Sequence, residues 1–600
     1  MLKKRKFLGF GFPDEVAKVT SKIGHFSKKN ESDWVDNLLP NFDPGYTHLT
    51  KSPWLLLPFS ASCIILFFII FIRLFHLQII EGETNRSLAD ENRIQIKVIH
   101  AQRGVIFDRN GKILAANSPA FRLFEKDLKK VKLISREKAL EMEVKKDTRT
   151  SDLEVDNVRT YPMAEKFAHV IGYVGEVSQT QLKESGYRLG DRIGQIGIEA
   201  QYEKLLKGKD GGEIIEVDSK GVKLRTLRRD PPVPGQNVYL TIDADLQDKV
   251  YNELKQALTK AESCCGSAVA MDPANGQILA LVSYPSFNPN VFTKDYDEGR
   301  IAQIFSQKEA PILNRAISGT YQPGSTFKIV SSLAALSSGK VNASTTILDN
   351  GAIFLGPYKF TNWYFTEYGK VEGNVDLVKA IKRSNDIYFY EVGRMIGEGK
   401  LIEWAKKLNL GEKLGIDLPA EAEGLVPSDE WKRKTYNQVW YPGDTLHMAI
   451  GQGFVLTSPL QVLGITSFIA SDGILYKPQL MLTNFKPKIL VSNVISADKI
   501  ELVKRGLKLV PKDGGTAWPF FTFPIPTAGK TGTAEFGDPK GKTHAWYTSF
   551  APAEKAKITL TVLAEAAGEG SNVAAPVAKE VYRWYFSENK ADLIKDIYTQ

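Results

Sequence analysis

The chain has 600 residues and a formal net charge of +9, with 43% hydrophobic and 24% charged residues. That length asks for roughly two to four domains of ordinary globular composition, and so mild a charge argues against a nucleic-acid-binding face. Cys63, Cys264 and Cys265 are too few for a disulfide framework or a metal cluster, the adjacent pair is not expected to bridge, and the seven scattered histidines form no metal-binding motif.

The densest positive cluster, Lys3, Lys4, Arg5 and Lys6, opens the chain. Nineteen residues without a charge follow from Trp54 to Ile72, long enough to span a bilayer. The region before them is too long, and the apolar run too extended, for a cleavable signal peptide. Residues 1–53 hold nine Lys/Arg and read as a cytoplasmic tail. Beside the span the count is balanced, Lys51 against Arg73, so the orientation also rests on the chemistry argued below.

Beyond the span, "HAQRGVIFDRNGKILAAN" predicts a hairpin, Val105–Phe107 and Lys112–Leu114 around an Asp-Arg-Asn-Gly turn. Residues 120–230 are charged and turn-rich, with no catalytic spacing, and 73–235 read as a structural pedestal. In "DRIGQIGIEAQYEKLLKGKDG" a glycine-rich loop gives way to a helix. The proline-rich hinge "DPPVPGQ", from Asp230 to Gln236, marks a boundary. Residues 236–588 then form one domain. "GSAVAMDPANGQILALVSYP" predicts two strands around an Asn-Gly turn, "AWYTSFAP" and "AKITLTVLAE" two more, and "VAAPVAKEVYRWYF" a closing helix. Strands first and last with helices between them indicate an α+β fold, an antiparallel sheet with helices packed on it.

Inside that domain lies "YQPGSTFKIVSSLAAL". Four other serines, Ser135, Ser337, Ser496 and Ser587, also have a lysine three residues on, so spacing alone is weak. Ser325 differs because Pro323 and Gly324 force a turn before it, and Ile329, Val330, Leu333 and Leu336 recur at helical spacing after it. The serine is expected as the first helical residue, where unpaired N–H groups and the dipole favour a developing anion, with Lys328 on the same face. Two further segments follow: "IKRSNDIYFYEVG", with Ser384 and Asp386, and "TAGKTGTAEF", with Lys530, Thr531, Gly532 and Thr533. The order Ser-x-x-Lys, Ser-x-Asn/Asp, Lys-Thr-Gly is that of the penicillin-recognising acyl transferases, and Lys-Thr-Gly occurs once here.

From about residue 77 to 588 the chain resembles a class B penicillin-binding protein. The likeness extends to "RGVIFDRNG", "RAISGTYQPGSTFK", "HMAIGQGFVLTSPLQ" and "HAWYTSFAPAEK", and the pedestal segments are more similar to elongation-type than division-type members. The resemblance implies a peptidoglycan D,D-transpeptidase: single-pass anchor (54–72), pedestal (73–235) and extracytoplasmic transpeptidase domain (236–588). It implies no cofactor, stem peptides ending in D-Ala-D-Ala as substrates, β-lactams as ligands and a polytopic SEDS glycosyltransferase as partner. It makes Ser325 the nucleophile and Lys328 its base, deprotonated by burial and by the nearby charge of Lys530. Ser384 relays a proton to the leaving D-alanine. Asp386 stands where most members have asparagine. Lys530, Thr531 and Thr533 hold the substrate carboxylate, Gly532 permits close approach, and the N–H groups of Ser325 and Thr533 form the oxyanion hole. Strand alternation puts Lys530 and Gly532 on one face and Thr531 on the other, which favours Thr533 over Thr531 as a ligand.

Some elongation-type relatives hold zinc beside the second motif, but residues 341–400 contain no His or Cys, Asp349 is left without partners, and no metal is expected. A Ser-His-Asp triad could use only His447 or His544, and Gly451–Gly453 reads as packing near the site. A β-lactamase needs a Glu-x-x-Leu-Asn element after the second motif; Glu309 to Asn314 has the wrong spacing and comes too early. A β-lactam sensor needs a signalling domain that a 53-residue tail does not supply. The same motifs also fit a division-type septal enzyme, whereas their completeness argues against a non-catalytic scaffold.

Overall fold

The structure, a computed structural model, describes residues 56–125, 130–145, 147, 153–183, 187, 190–218, 223–293 and 296–587. The chain divides into two compact units, 1–95 with 217–222, and 96–216 with 223–600. In the first, helix α1 (Leu56–Phe75) continues into a π-helical turn, His76–Ile80. Among the described residues this is the one helix long and apolar enough to cross a membrane, over Leu57–Ile80. Its exposed Phe59, Ile64, Phe67 and Phe71 form an apolar surface that water does not favour. The expected tail, Trp54 and Leu55 lie outside the described residues. The helix passes the expected end at Ile72 and takes in Arg73 in its last turn, where a cation suits the helix dipole.

In the second unit, β1 (Ile106–Phe107) and β2 (Ile113–Glu125) pair antiparallel across the expected turn. Asp108 closes that turn: Oδ1 accepts the N–H groups of Asn110 and Lys112, and Oδ2 that of Ala244. Strands β3 (Lys130–Ser135) and β4 (Leu153–Thr160) both pair with β2. The glycine-rich segment leads into a short helix, α2 (Gly197–Gln201). Its Glu199 is wholly buried and accepts from Arg103 Nε at 2.5 Å and Arg159 Nε at 2.6 Å. Burial pushes that carboxyl upward, but the two guanidiniums outweigh it and hold it below its ordinary value. The segments "RGVIFDRNG" and "GQIGIEAQ" thus supply a buried clasp. Strand β5 (Val238–Tyr239) then pairs parallel with β1.

Helix α3 (Ala244–Lys260) starts where the Asp243 carboxylate caps the N–H groups of Asp245 and Leu246. Leu246, Val250, Leu254 and Leu258, four residues apart, are all fully buried. Next come β6 (Gly266–Met271), β7 (Ile278–Tyr284), a 3-10 turn at Gly324–Phe327 and α4 (Lys328–Ser337). A small lobe follows with β8 (Ile347–Asp349), β9 (Ala352–Leu355), β10 (Tyr358–Thr361), α5 (Trp363–Tyr368), β11 (Gly373–Val375), α6 (Leu377–Arg383) and α7 (Asp386–Ile396). Helices α8 (Pro442–Ala449), α9 (Pro459–Ala470) and α10 (Ala497–Leu509) precede β12 (Ala528–Glu535), β13 (Thr543–Ala551), β14 (Ile558–Ala564) and α11 (Ala574–Ser587).

The main sheet runs β7-β6-β14-β13-β12, antiparallel throughout, so β12 is an edge. Every residue of β14 is buried, so both faces of the sheet are covered there. Helices α3 and α11 pack on each other and on the sheet, and α9, buried along its whole length, packs on β6, β13 and β14. The "TSPLQ" segment starts α9: Ser458 accepts the Gln461 N–H, Gln461 accepts the Ser458 N–H, and Pro459 occupies the first turn. The predicted strands, the closing helix and the α+β class are therefore present.

The cysteines differ from expectation: Cys264 and Cys265 form a disulfide. They lie in the short link between α3 and β6, where Ser263 Oγ bonds the Glu565 carbonyl and the Glu565 N–H donates to the Cys265 carbonyl. That anchored turn brings two neighbouring sulfurs together, which composition does not reveal, and it leaves neither as a thiolate.

Gly451 shows how tightly the centre is built. Its φ is +75°, and a Cβ there would lie 2.2 Å from the Gly324 carbonyl oxygen. Gly451→Ala is expected to cost about 1–3 kcal/mol through steric overlap and backbone strain. A thermal melt should show a clearly lowered midpoint, and an unchanged midpoint would refute this packing.

Candidate active site

Ser325 lies within the 3-10 turn Gly324–Phe327, and the α-helix proper begins at Lys328. The serine is thus one turn ahead of the α-helix that it was expected to begin, because Gly324 is pinned on both sides. Its N–H donates to the Gly451 carbonyl at 2.9 Å, and its φ is +52°. A Cβ on Gly324 would meet the Thr533 oxygen at 2.9 Å and Ala534 Cβ at 3.1 Å. The turn carrying Ser325 therefore abuts the Lys-Thr-Gly strand. The Gly-Gln-Gly segment supplies the Gly451 wall, and Gln452 Nε2 reaches the Thr533 carbonyl at 3.5 Å. Ser325 itself is half-buried, and its hydroxyl has no hydrogen-bond partner among the described residues.

Ser384 occupies the junction of α6 and α7 in the left-handed region, with φ 54° and ψ 38°. That bend puts both its carbonyl and its hydroxyl before the lysines. Lys328 Nζ donates to the Ser384 carbonyl at 2.8 Å and to Asp386 Oδ1 at 2.6 Å, and lies 3.4 Å from Ser384 Oγ. Lys530 Nζ donates to Ser384 Oγ at 2.7 Å and to the Thr531 carbonyl at 3.0 Å. Both lysines are wholly buried. One serine hydroxyl thus lies between two buried amines, of which Lys328 is paired with the Asp386 carboxylate.

The charges follow from that geometry. Burial lowers the Lys328 pKa, against the Asp386 carboxylate, which raises it. Burial lowers Lys530 further, well below the ordinary lysine value; the charge of Lys328 adds to the fall and Asp386 opposes it. The expectation that Lys530 depresses Lys328 needs a change of emphasis: Lys328 keeps the ion pair, and Lys530 carries the deeper depression.

Burial, not strand alternation, separates the threonines, since Thr531 and Thr533 are two residues apart and share a face of the strand. Thr531 is buried, with Oγ1 2.6 Å from Thr516 Oγ1, while Thr533 is exposed. Gly532 faces the nucleophile's turn, since a Cβ would meet Thr326 Cγ2 at 3.1 Å and Pro323 O at 3.2 Å. His544 accepts the Ala566 N–H at 3.2 Å and stacks on Phe536, and His447 lies beside Phe360. Neither bonds to the motif serines among the described residues.

Asp349 contradicts the expectation that it lacks partners. It is buried, its Oδ1 accepts the Gly351 N–H at 2.7 Å, and its Oδ2 accepts the side-chain amides of Asn362 at 2.8 Å and Asn385 at 2.6 Å. With Asn-amide donors in place of His and Cys, this carboxylate is already satisfied. Neither Asn362 nor Asn385 stood out in the sequence. Asn385 is flanked by the two motif residues and precedes a helix, which was the one signal pointing to it.

Family models agree with this arrangement. Residues 266–583 match the penicillin-binding protein transpeptidase domain, and residues 124–240 the penicillin-binding protein dimerisation domain. The chain belongs to the penicillin-binding protein transpeptidase family. The peptidoglycan D,D-transpeptidase MrdA of Haemophilus influenzae is 31% identical, over 87% of this chain and 89% of that protein. A Helicobacter pylori penicillin-binding protein, PBP2, in complex with MreC matches with TM-score 0.72 and 31% identity, over 82% of this chain and 99% of that one. A peptidoglycan synthase complex coordinating polymerization and crosslinking matches with TM-score 0.72 and 30% identity, over 91% of this chain and 100% of that one.

A neutral lysine is needed to take the Ser325 proton, so acylation by a fluorescent penicillin is expected to rise with pH along a limb centred below 10.5, the ordinary lysine value. Asp386 raises the Lys328 pKa, so Asp386→Asn should move that limb to lower pH. A limb at the ordinary lysine value, or one that Asp386→Asn moves upward, would contradict the assignment.

Proposed function

We propose that this protein is an elongation-type peptidoglycan D,D-transpeptidase that cross-links stem peptides through an acyl-enzyme on Ser325. The observation that carries the reading is the Ser384 hydroxyl placed between Lys328 and Lys530, beside the turn that presents Ser325 to the Lys-Thr-Gly strand. MrdA and PBP2 relatives similar over most of the chain support the elongation type over a septal enzyme, a sensor or a β-lactamase.

The residues divide the work as follows. A stem peptide ending in D-Ala-D-Ala lies along the edge of β12, its terminal carboxylate beside Lys530 and the Thr533 hydroxyl. An arriving carboxylate favours protonated Lys530. The proton passes from Lys328 through the Ser384 hydroxyl to Lys530, leaving Lys328 as the base for Ser325. Ser325 Oγ attacks the penultimate D-alanine carbonyl, and the N–H groups of Ser325 and Thr533 stabilise the oxyanion, worth roughly 3 kcal/mol per donor. Ser384 returns a proton to the departing D-alanine. An amine from a second stem peptide then attacks the ester, closes the cross-link and frees Ser325. A β-lactam enters the same first step. Thr531 supports the strand through Thr516.

The layout follows the same reading: residues 1–53 cytoplasmic, 54–72 in the inner membrane, 73–235 a pedestal, and 236–588 the transpeptidase domain outside the cytoplasm. A SEDS-type glycosyltransferase is the proposed membrane partner. Similarity to a chain in a peptidoglycan synthase complex, over 91% of this chain, supports that partnership.

Ser325→Ala removes one half-buried hydroxyl. It should abolish labelling by fluorescent penicillin while leaving the thermal midpoint nearly unchanged. Mass spectrometry of the wild-type adduct should find the acyl group on Ser325, and a label on any other serine would refute the assignment. Lys530→Ala should slow acylation by carboxylate-bearing ligands about tenfold to a hundredfold, the range for losing one charge-assisted hydrogen bond. Ligands lacking the carboxylate should lose much less. Equal losses would show Lys530 acting on the nucleophile instead.

A further inference from the structure

We infer that Asp349 is a positioning residue for the second motif, acting through the two buried amides of Asn362 and Asn385. This rests on the acyl-transfer reading above for its consequence, but on geometry alone for its placement. Asp349 ends β8 and is 1% exposed; Asn362 and Asn385 are fully buried. Both amide nitrogens converge on Asp349 Oδ2. Their oxygens point the other way, to the start of α7. Asn362 Oδ1 accepts the Asp386 N–H at 3.1 Å, and Asn385 Oδ1 accepts the Tyr388 N–H at 2.8 Å. These are first-turn N–H groups, which have no partner within their own helix. The Trp363 N–H, next in sequence to Asn362, donates to Asp386 Oδ2 at 3.1 Å. The other Asp386 oxygen holds Lys328.

The polarity of this network has one solution. Backbone N–H groups only donate, so the two asparagine oxygens must face α7 and the two NH2 groups must face position 349. The residue there must accept from both while also accepting the Gly351 N–H. An ionised carboxylate is acceptor-only and meets all three donors. An asparagine in its place would bring its own NH2 against the other two, or surrender the Gly351 bond. Turning either neighbouring amide would leave a helix N–H facing another donor. Asp349 thereby sets the direction of both amides, and they set where Ser384, Asn385 and Asp386 stand relative to Lys328.

The test uses the full-length protein with Asp349→Asn, followed by two readouts. The first is the rate of fluorescent-penicillin acylation per titratable site. The second is backbone amide exchange at Asp386 and Tyr388, with α3 as the internal control. Asp349→Asn is expected to slow acylation on the order of tenfold, as for an unsatisfied buried donor, and to speed exchange at both amides while α3 stays protected. Its effect should not add to that of Asp386→Asn, through which it acts. Asn362→Ser keeps the carboxylate and is the milder variant if Asp349→Asn does not fold; it should free the Asp386 amide and leave that of Tyr388 protected. Unchanged acylation with unchanged exchange would overturn the proposal. So would exchange that rises equally in α3, or full additivity with Asp386→Asn. Local exchange changes in a protein that never labels on Ser325 would leave the positioning role standing and remove the acyl-transfer reading instead.

Discussion

Two buried lysines, one of them paired with a carboxylate, converge on the Ser384 hydroxyl, and much of the catalytic domain can be understood as what holds them there. Burying a single unpaired ammonium is costly; burying two within reach of one hydroxyl is tolerable only if they share their protons. Asp386 pairs with Lys328 at 2.6 Å and so makes the two amines unequal. In the proposed mechanism that inequality lets a proton move when an anionic ligand arrives.

The fold supplies rigidity from three directions. The Lys-Thr-Gly strand is the edge of a sheet covered by helices, paired with β13 on one side and packed against the turn carrying Ser325, with only Thr533 and Glu535 exposed along it. The nucleophile's turn is wedged between that edge and Gly451, with distances that exclude even a methyl group. The second motif sits on a left-handed junction between two helices, whose N–H groups are satisfied by asparagines anchored on Asp349. The side chains proposed as catalytic thus come from three segments whose positions are fixed by short-range sterics or by satisfied polar groups. Such preorganisation limits rearrangement when charge develops in the transition state.

Much of this was legible in the amino-acid sequence. The apolar runs of the sheet, the Asp-Arg-Asn-Gly turn, the closing helix and the three motifs each carry a local signal, because periodicity, turn chemistry and motif spacing are properties of neighbouring residues. Strand alternation does not separate Thr531 from Thr533, which share a face; the burial of Thr531 against Thr516 does. What was missed depends on contacts between distant segments. Asp349, Asn362 and Asn385 meet only after β8, α5 and α7 assemble, so Asp349 read as a carboxylate without partners. Arg103, Arg159 and Glu199 form a clasp from three pedestal segments, where sequence offered only a resemblance. The Cys264–Cys265 bridge follows from an anchored turn, and the displacement of Ser325 by one turn follows from the pinning of Gly324 by Gly451 and Thr533.

The most direct test of the shared-proton account is a nitrogen-15 NMR titration of the two lysine side chains, in the free protein and with a bound carboxylate-bearing D-alanyl-D-alanine peptide. The account predicts that in the free protein Lys530 titrates well below the ordinary lysine value and below Lys328. On peptide binding to Ser325→Ala, Lys530 should take up a proton as Lys328 gives one up. Two ammonium groups that stay charged in both states, or a Lys530 that the carboxylate leaves unchanged, would contradict it.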